Sequence, residues 1–191
     1  MTTSTSRLLH QAATAGVPIV QGIDESQFDR GTPCAEFTVR ELINHLFHVI
    51  IGFQSLAVKQ TFDFSTTPGY VRAGDWRARF EHETAILVKA WAEPSALDGV
   101  SPGMGLPQET VGALAVLDLT IHVWDLARAT DREYEAAPEI TARLSALAEQ
   151  MGPTARQWKI LADVVPVPPT ASPFERLLGL TGRDPWWRGR S

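Results

Sequence analysis

The sequence predicts an all-α protein built as an antiparallel helical bundle. Three observations carry this. Apolar residues recur at spacings of three and four in several separate segments, as they do on the inner face of a helix. The longest apolar run, Val111–Ala129, contains no proline and one early glycine, Gly112. No segment shows a sustained apolar–polar alternation, and Val164–Val167 is the only short stretch that reads as a strand.

Taken in order, Ser4 or Ser6 can cap a first helix carrying Leu8, Leu9, Ala12 and Ala13, with Gly16 and Pro18 kinking or ending it. Helical packing then resumes briefly over Val17–Ile23. Turn signals at Asp29–Gly31 and Thr32-Pro33 mark a connection. Thr38-Val39-Arg40-Glu41 is a capping-box pattern and opens a second helix, with Leu42, Ile43, Leu46, Val49, Ile50, Phe53 and Leu56 inward. After a long loop from Asp63 to Gly74, Asp75 can cap a third helix along which Trp76, Phe80, Leu87 and Trp91 lie. A second long loop runs from Pro94 to Gly105. Pro107 suits the first turn of the fourth helix, which holds the Val111–Ala129 run. Ala137-Pro138-Glu139 starts a fifth helix that runs to about Met151. Pro173–Leu180 reads as a short last helix, and Trp186-Trp187 as a pair docked on the body. Residues 1–191 are expected to form one domain, a length that allows a substantial core.

Composition narrows the function classes. Apolar residues make up 44% and charged residues 20%, ordinary for a globular protein, and the net charge of −5 argues against a general nucleic-acid surface. With one cysteine, Cys34, neither a disulfide framework nor a cysteine-rich zinc module can form within the chain. The N-terminus lacks a basic start followed by an apolar run, and no long segment is both apolar and free of ionisable groups. A cytoplasmic protein with no membrane or nucleic-acid partner is expected.

The chemistry concentrates in Leu117–Arg128. Asp118, His122 and Asp125 interrupt the apolar run at spacings of four and three. At about 100° per residue they fall at roughly 0°, 40° and −20°, a narrow stripe on one helix face. Acidic groups on a buried helix are costly unless they are paired or hold a cation. An Asp and a His one turn apart can direct two ligand atoms at one ion. Asp118 and His122 are therefore read as half of a metal site. His45, flanked by apolar Leu42, Ile43 and Leu46, is the candidate third ligand, and His48 lies close enough on the same helix to replace or supplement it. Two ligands on one helix and one on another leave an open coordination position, the mark of a catalytic rather than a structural centre. Asp125 would orient a ligand or face substrate. The alternative is a buried hydrogen-bonded cluster without metal, with Arg128 as the partner of an aspartate. His10 and His82 carry no signal, Cys34 reads as a small buried residue, and Trp124 points away from the polar stripe. There is no HExxH or GxSxG pattern, so the chain does not look like a zincin protease or a serine hydrolase.

Thr32-Pro33-Cys34, the run Phe37–Leu46, the run Asp118–Thr130, Leu177-Leu178 and Gly182–Pro185 together resemble an actinobacterial metal-binding family. It is related to the mycothiol-dependent maleylpyruvate isomerase N-terminal domains, in the DinB/YfiT-like superfamily. The resemblance covers about residues 8–186. It implies a DinB/YfiT-like four-helix bundle with additional short C-terminal helices. It also implies a divalent metal, zinc first, with nickel, iron or manganese compatible, held by His45, Asp118 and His122. Asp125 matches an active-site acid of the isomerase and is the candidate catalytic residue. In such families the metal activates the thiolate of a low-molecular-weight thiol, with mycothiol as cosubstrate and a small electrophile as the second substrate; a homodimer is the family habit. The chain departs from the isomerase in two places. Asp118 stands where the isomerase has Glu, and some forty residues follow the fifth helix where the isomerase has a further domain. The reading is a metal-dependent thiol S-transferase or isomerase; the alternative is a non-catalytic metal- or ligand-binding module with a regulatory or structural role.

Overall fold

The computed structural model describes residues 3–72, 74–158 and 161–189. Those residues form six α-helices: α1 (Ser4–Gln21), α2 (Val39–Ala57), α3 (Trp76–Ala90), α4 (Gln108–Ala129), α5 (Pro138–Gln157) and α6 (Pro173–Leu180). No strand occurs among them; two isolated bridges, Gly31 with Thr38 and Val100 with Pro107, staple the chain before α2 and α4.

Helix α4 is the centre. Nearly all of its side chains are buried, and α1, α2 and α5 pack around it while α3 closes against α1 and α2. A helix apolar on all sides must be enclosed. α4 has the length and apolarity to cross a membrane, but 89% of that window is covered by the rest of the bundle. Close approach is bought with glycine. A Cβ on Gly16 of α1 would lie 2.8 Å from the Val123 side chain, and one on Gly112 of α4 would lie 2.8 Å from Thr5 and 2.9 Å from Trp91.

Several boundaries differ from the sequence expectation. Thr3, not Ser4 or Ser6, caps α1: its hydroxyl accepts from Ser6 N–H at 3.0 Å and donates to the Trp91 carbonyl at 2.6 Å, fixing α1 to the end of α3. α1 also runs through Gly16 and Pro18 without ending, because Gly16 is needed for contact with α4. The Thr38–Glu41 capping box is present, with Glu41 accepting from Thr38 N–H at 2.8 Å. α5 continues six residues beyond Met151, past Pro153, with Gly152 and Ala155 buried. Val164–Val167 is extended but unpaired as a strand; Val165 N–H donates to the Gly179 carbonyl on α6 at 3.0 Å. Trp186 is half exposed, and Trp187 is held through its backbone carbonyl, which accepts from Arg128 at 2.9 Å.

Gly112→Ala is expected to destabilise the fold by roughly 1–3 kcal/mol through overpacking between α4, Thr5 and Trp91. Urea denaturation checks this, and an unchanged midpoint would contradict the close packing.

Candidate metal centre

The side-by-side packing of α2 and α4 brings two histidines together. His45 of α2 stacks on Phe37, with ring centroids 4.9 Å apart, and stands at right angles to His122 of α4 at 5.0 Å. His45 is half-buried. Burial first, then the neighbouring His122, His48 and Arg183, pushes its pKa down to about 3. The ring is therefore neutral at ordinary pH, the form that binds a metal.

His122 is buried and oriented. Its Nδ1 lies 3.1 Å from Asp125 Oδ2. An ionised carboxylate can only accept, so Nδ1 carries a proton, and in the neutral ring that leaves the lone pair on Nε2. A carboxylate behind one ring nitrogen is the arrangement that fixes the tautomer of metal-bound histidines. Nε2 has no hydrogen-bond partner among the described residues.

Asp125 is fully buried, and both of its oxygens are engaged. Arg183 grips it in a fork, Nε to Oδ1 at 3.3 Å and Nη2 to Oδ2 at 3.0 Å. Burial works to raise the Asp125 pKa, but the Arg183 charge and the His122 hydrogen bond outweigh it, and the carboxyl sits below its ordinary value. Burial likewise works against the Arg183 charge, and Asp125 more than restores it. Arg183 reaches this position because α6 ends in a left-handed turn. Gly182 has φ +82°, its N–H donates to Gly179 at 3.1 Å, and Arg183 N–H donates to Leu178 at 2.9 Å. These are the paired bonds of a Schellman cap, which needs glycine at that φ.

Asp118, one turn before His122, keeps partial exposure but lies deep enough that burial raises its pKa, against the opposing pull of His122 and Arg183. It is the under-compensated acid of the cluster. His48 is committed elsewhere: its Nδ1 lies 3.1 Å from the Tyr70 hydroxyl and its Nε2 3.0 Å from the Asp63 carbonyl. Both nitrogens are occupied, so His48 pins the loop between α2 and α3 and offers no lone pair to an ion. The rings of Phe62 and Phe64 fill the notch left by Gly52 beside it.

Two residues stand at the site without a role there in the sequence reading, though both lie in motifs that carry the family resemblance. Cys34 Sγ, a His122 nitrogen and an Asp125 oxygen all lie within 4.8 Å of one another, whereas His45 and Asp118 stand outside that tight group. Burial pushes the Cys34 thiol up to about 11. Asp125 in that group is already saturated by Arg183 and His122. The unengaged donors nearby are Cys34 Sγ, His45, His122 Nε2 and Asp118, and burial keeps the Cys34 thiol protonated and so the poorest ligand of the four. Two imidazoles and an under-compensated carboxylate are a donor set that fits a divalent cation. The second is Arg183. The sequence reading offered Arg128 as the partner of an aspartate, but Arg128 donates to the Trp187 carbonyl instead. A buried aspartate required a cation from somewhere; only the Gly182 turn could have pointed to which.

Residues 9–127 match the family described as mycothiol maleylpyruvate isomerase N-terminal domain. The chain belongs to this family. Two relatives are the uncharacterized proteins Rv0738 and MT0763 of two strains of Mycobacterium tuberculosis. Each is 28% identical over 181 residues, which is 92% of this chain and 96% of the relative. No solved structure matches the chain. The all-α architecture, with helices beyond the first four, accords with the DinB/YfiT-like bundle that the sequence resemblance implies. His45, Asp118, His122 and Asp125 fall inside the family match; Arg183 falls beyond it.

Arg183→Leu leaves the Asp125 charge buried and unpaired, and is expected to cost roughly 3–5 kcal/mol. Asp125→Leu combined with Arg183→Leu should recover much of that loss. A double variant as unstable as the sum of the singles, in chemical denaturation, would contradict the pairing.

Proposed function

We propose that His45, Asp118 and His122 hold a divalent metal, for which zinc suits the donors, and that the protein is a metal-dependent transferase or isomerase using a low-molecular-weight thiol of the mycothiol type on a small electrophile. The observation that carries this reading is the tether of His122 Nδ1 to Asp125, which frees Nε2 beside the His45 ring. A cation bound there would lower the pKa of a thiol and hold it as thiolate. Around it, His122 keeps its tautomer through Asp125, Arg183 keeps Asp125 ionised, and the Phe37 stack keeps His45 in place. Asp125 in this reading is a positioning residue: it acts through His122 and does not face substrate. The family match supports the link to thiol chemistry. A cytoplasmic site, where such thiols are reduced, is part of the proposal, as is a homodimer.

One observation favours a second reading, a metal- or ligand-binding module without turnover. Asp125, the carboxylate that the resemblance casts as catalytic, has both oxygens engaged, which leaves no uncommitted base beside the donor set.

Metal content by inductively coupled plasma mass spectrometry is the test, on untagged parent, His45→Ala and His122→Ala proteins. About one metal per chain in the parent and almost none in the variants is expected. A parent that stays metal-free after reconstitution contradicts the metal site and leaves only the ligand-binding form of the second reading. A loaded parent that accelerates no reaction between mycothiol and a panel of electrophiles leaves the second.

A further inference from the structure

A cleft of about 750 Å³ opens at the C-terminal end of α4, lined by Arg30, Arg128, Arg132 and Arg188 and by Trp187. Three carboxylates also border it, and two of them are already spoken for. Asp131 pairs with Arg30 at 2.7 Å, and Asp29 lies 3.4 Å from Arg40 outside the cleft. That leaves Glu133 against three arginines with no acidic partner among the described residues. Arg132 is tied to neutral groups: the carbonyls of Gly22 and Thr130 and the side-chain oxygen of Gln27. Arg128 gives one N–H to the Trp187 carbonyl, while its Nε is buried with no partner. Arg188 is exposed and makes no hydrogen bond or ion pair among the described residues. Burial closes the Arg128 Nε off from the cleft, so a ligand there meets the Nη nitrogens of Arg128.

With four arginines against three carboxylates, the cleft carries an excess of one positive charge in a chain whose net charge is −5. Guanidinium forks recognise planar carboxylates and phosphate oxygens in pairs of hydrogen bonds. We propose that the cleft binds a small organic anion, its oxyanion group held by Arg128 and Arg188 and its body against Trp187. The same three segments build the cleft and the frame of the metal donors. Arg30 and Gly31 precede Cys34, Ala129 lies one helical turn, about 6 Å, beyond Asp125 on α4, and Trp187 follows Arg183. The inference goes beyond the metal-and-thiol reading and does not depend on it.

Isothermal titration calorimetry of the full chain tests it, with succinate and inorganic phosphate as probes and chloride as the control anion. Saturable binding of at least one probe is expected, and the preferred probe tells a carboxylate ligand from a phosphate one. Arg128→Gln and Arg188→Gln should each weaken it about tenfold or more. Arg188 supports no other residue, so Arg188→Gln reads binding without a loss of fold. No saturable binding of either probe, or parent affinity in Arg188→Gln, would overturn the proposal.

Discussion

The structure depends on one buried carboxylate. Asp125 sits with no solvent contact in the most apolar helix of the bundle, between the ring of His122 and the fork of Arg183. Without a counter-charge it could not remain ionised there, and without an ionised Asp125 the His122 tautomer would be free. One ion pair thus links the end of the chain to the centre of the bundle. It makes the α6 cap, the Gly182 turn and the packing of residues 163–183 part of the site rather than an appendage. The arrangement also divides labour along one helix face. Asp125 is satisfied and holds position, while Asp118, one turn the other side of His122, is left uncompensated.

Local physics made most of the fold legible in the sequence. The Thr38–Glu41 box and the Asp75 cap satisfy helix-end groups within a few residues, and Pro107 before α4 and Pro173 at the start of α6 stand where a missing N–H costs nothing, so the signal lies where the structure needs it. The boundaries that differ were set by distant contacts. Thr3 is chosen as a cap partly because it also reaches the Trp91 carbonyl, and α1 passes through Gly16 because Val123 lies against it. The site divides the same way. The stripe of Asp118, His122 and Asp125 follows from helical periodicity, and the approach of His45 to His122 is what packing α2 on α4 produces. The Arg183 pairing, 58 residues from Asp125, has no local signature, and Arg128 was the nearer arginine. Cys34 was hidden for a similar reason: its nearness to His122 depends on how the connection before α2 lies against α4.

The family match stops at residue 127, so the groups that complete the frame lie outside it. Arg183, which keeps Asp125 ionised, and Trp187 and Arg188, which wall the arginine cleft, all come from the C-terminal segment. The Mycobacterium tuberculosis relatives match over 92% of this chain, more than the family region spans, so the comparison reaches into that segment. The candidate donors His45, Asp118 and His122 lie within the matched region.

The most direct test of the central claim is the X-ray absorption spectrum of the zinc-reconstituted protein. The account predicts a shell of nitrogen and oxygen scatterers at about 2.0–2.2 Å with the outer-shell pattern of two imidazoles, and no sulfur. A sulfur scatterer at about 2.3 Å in thiol-free protein would contradict it. It would put Cys34 in the coordination shell with His122, and Asp125 could not then be the saturated partner on which the arrangement rests.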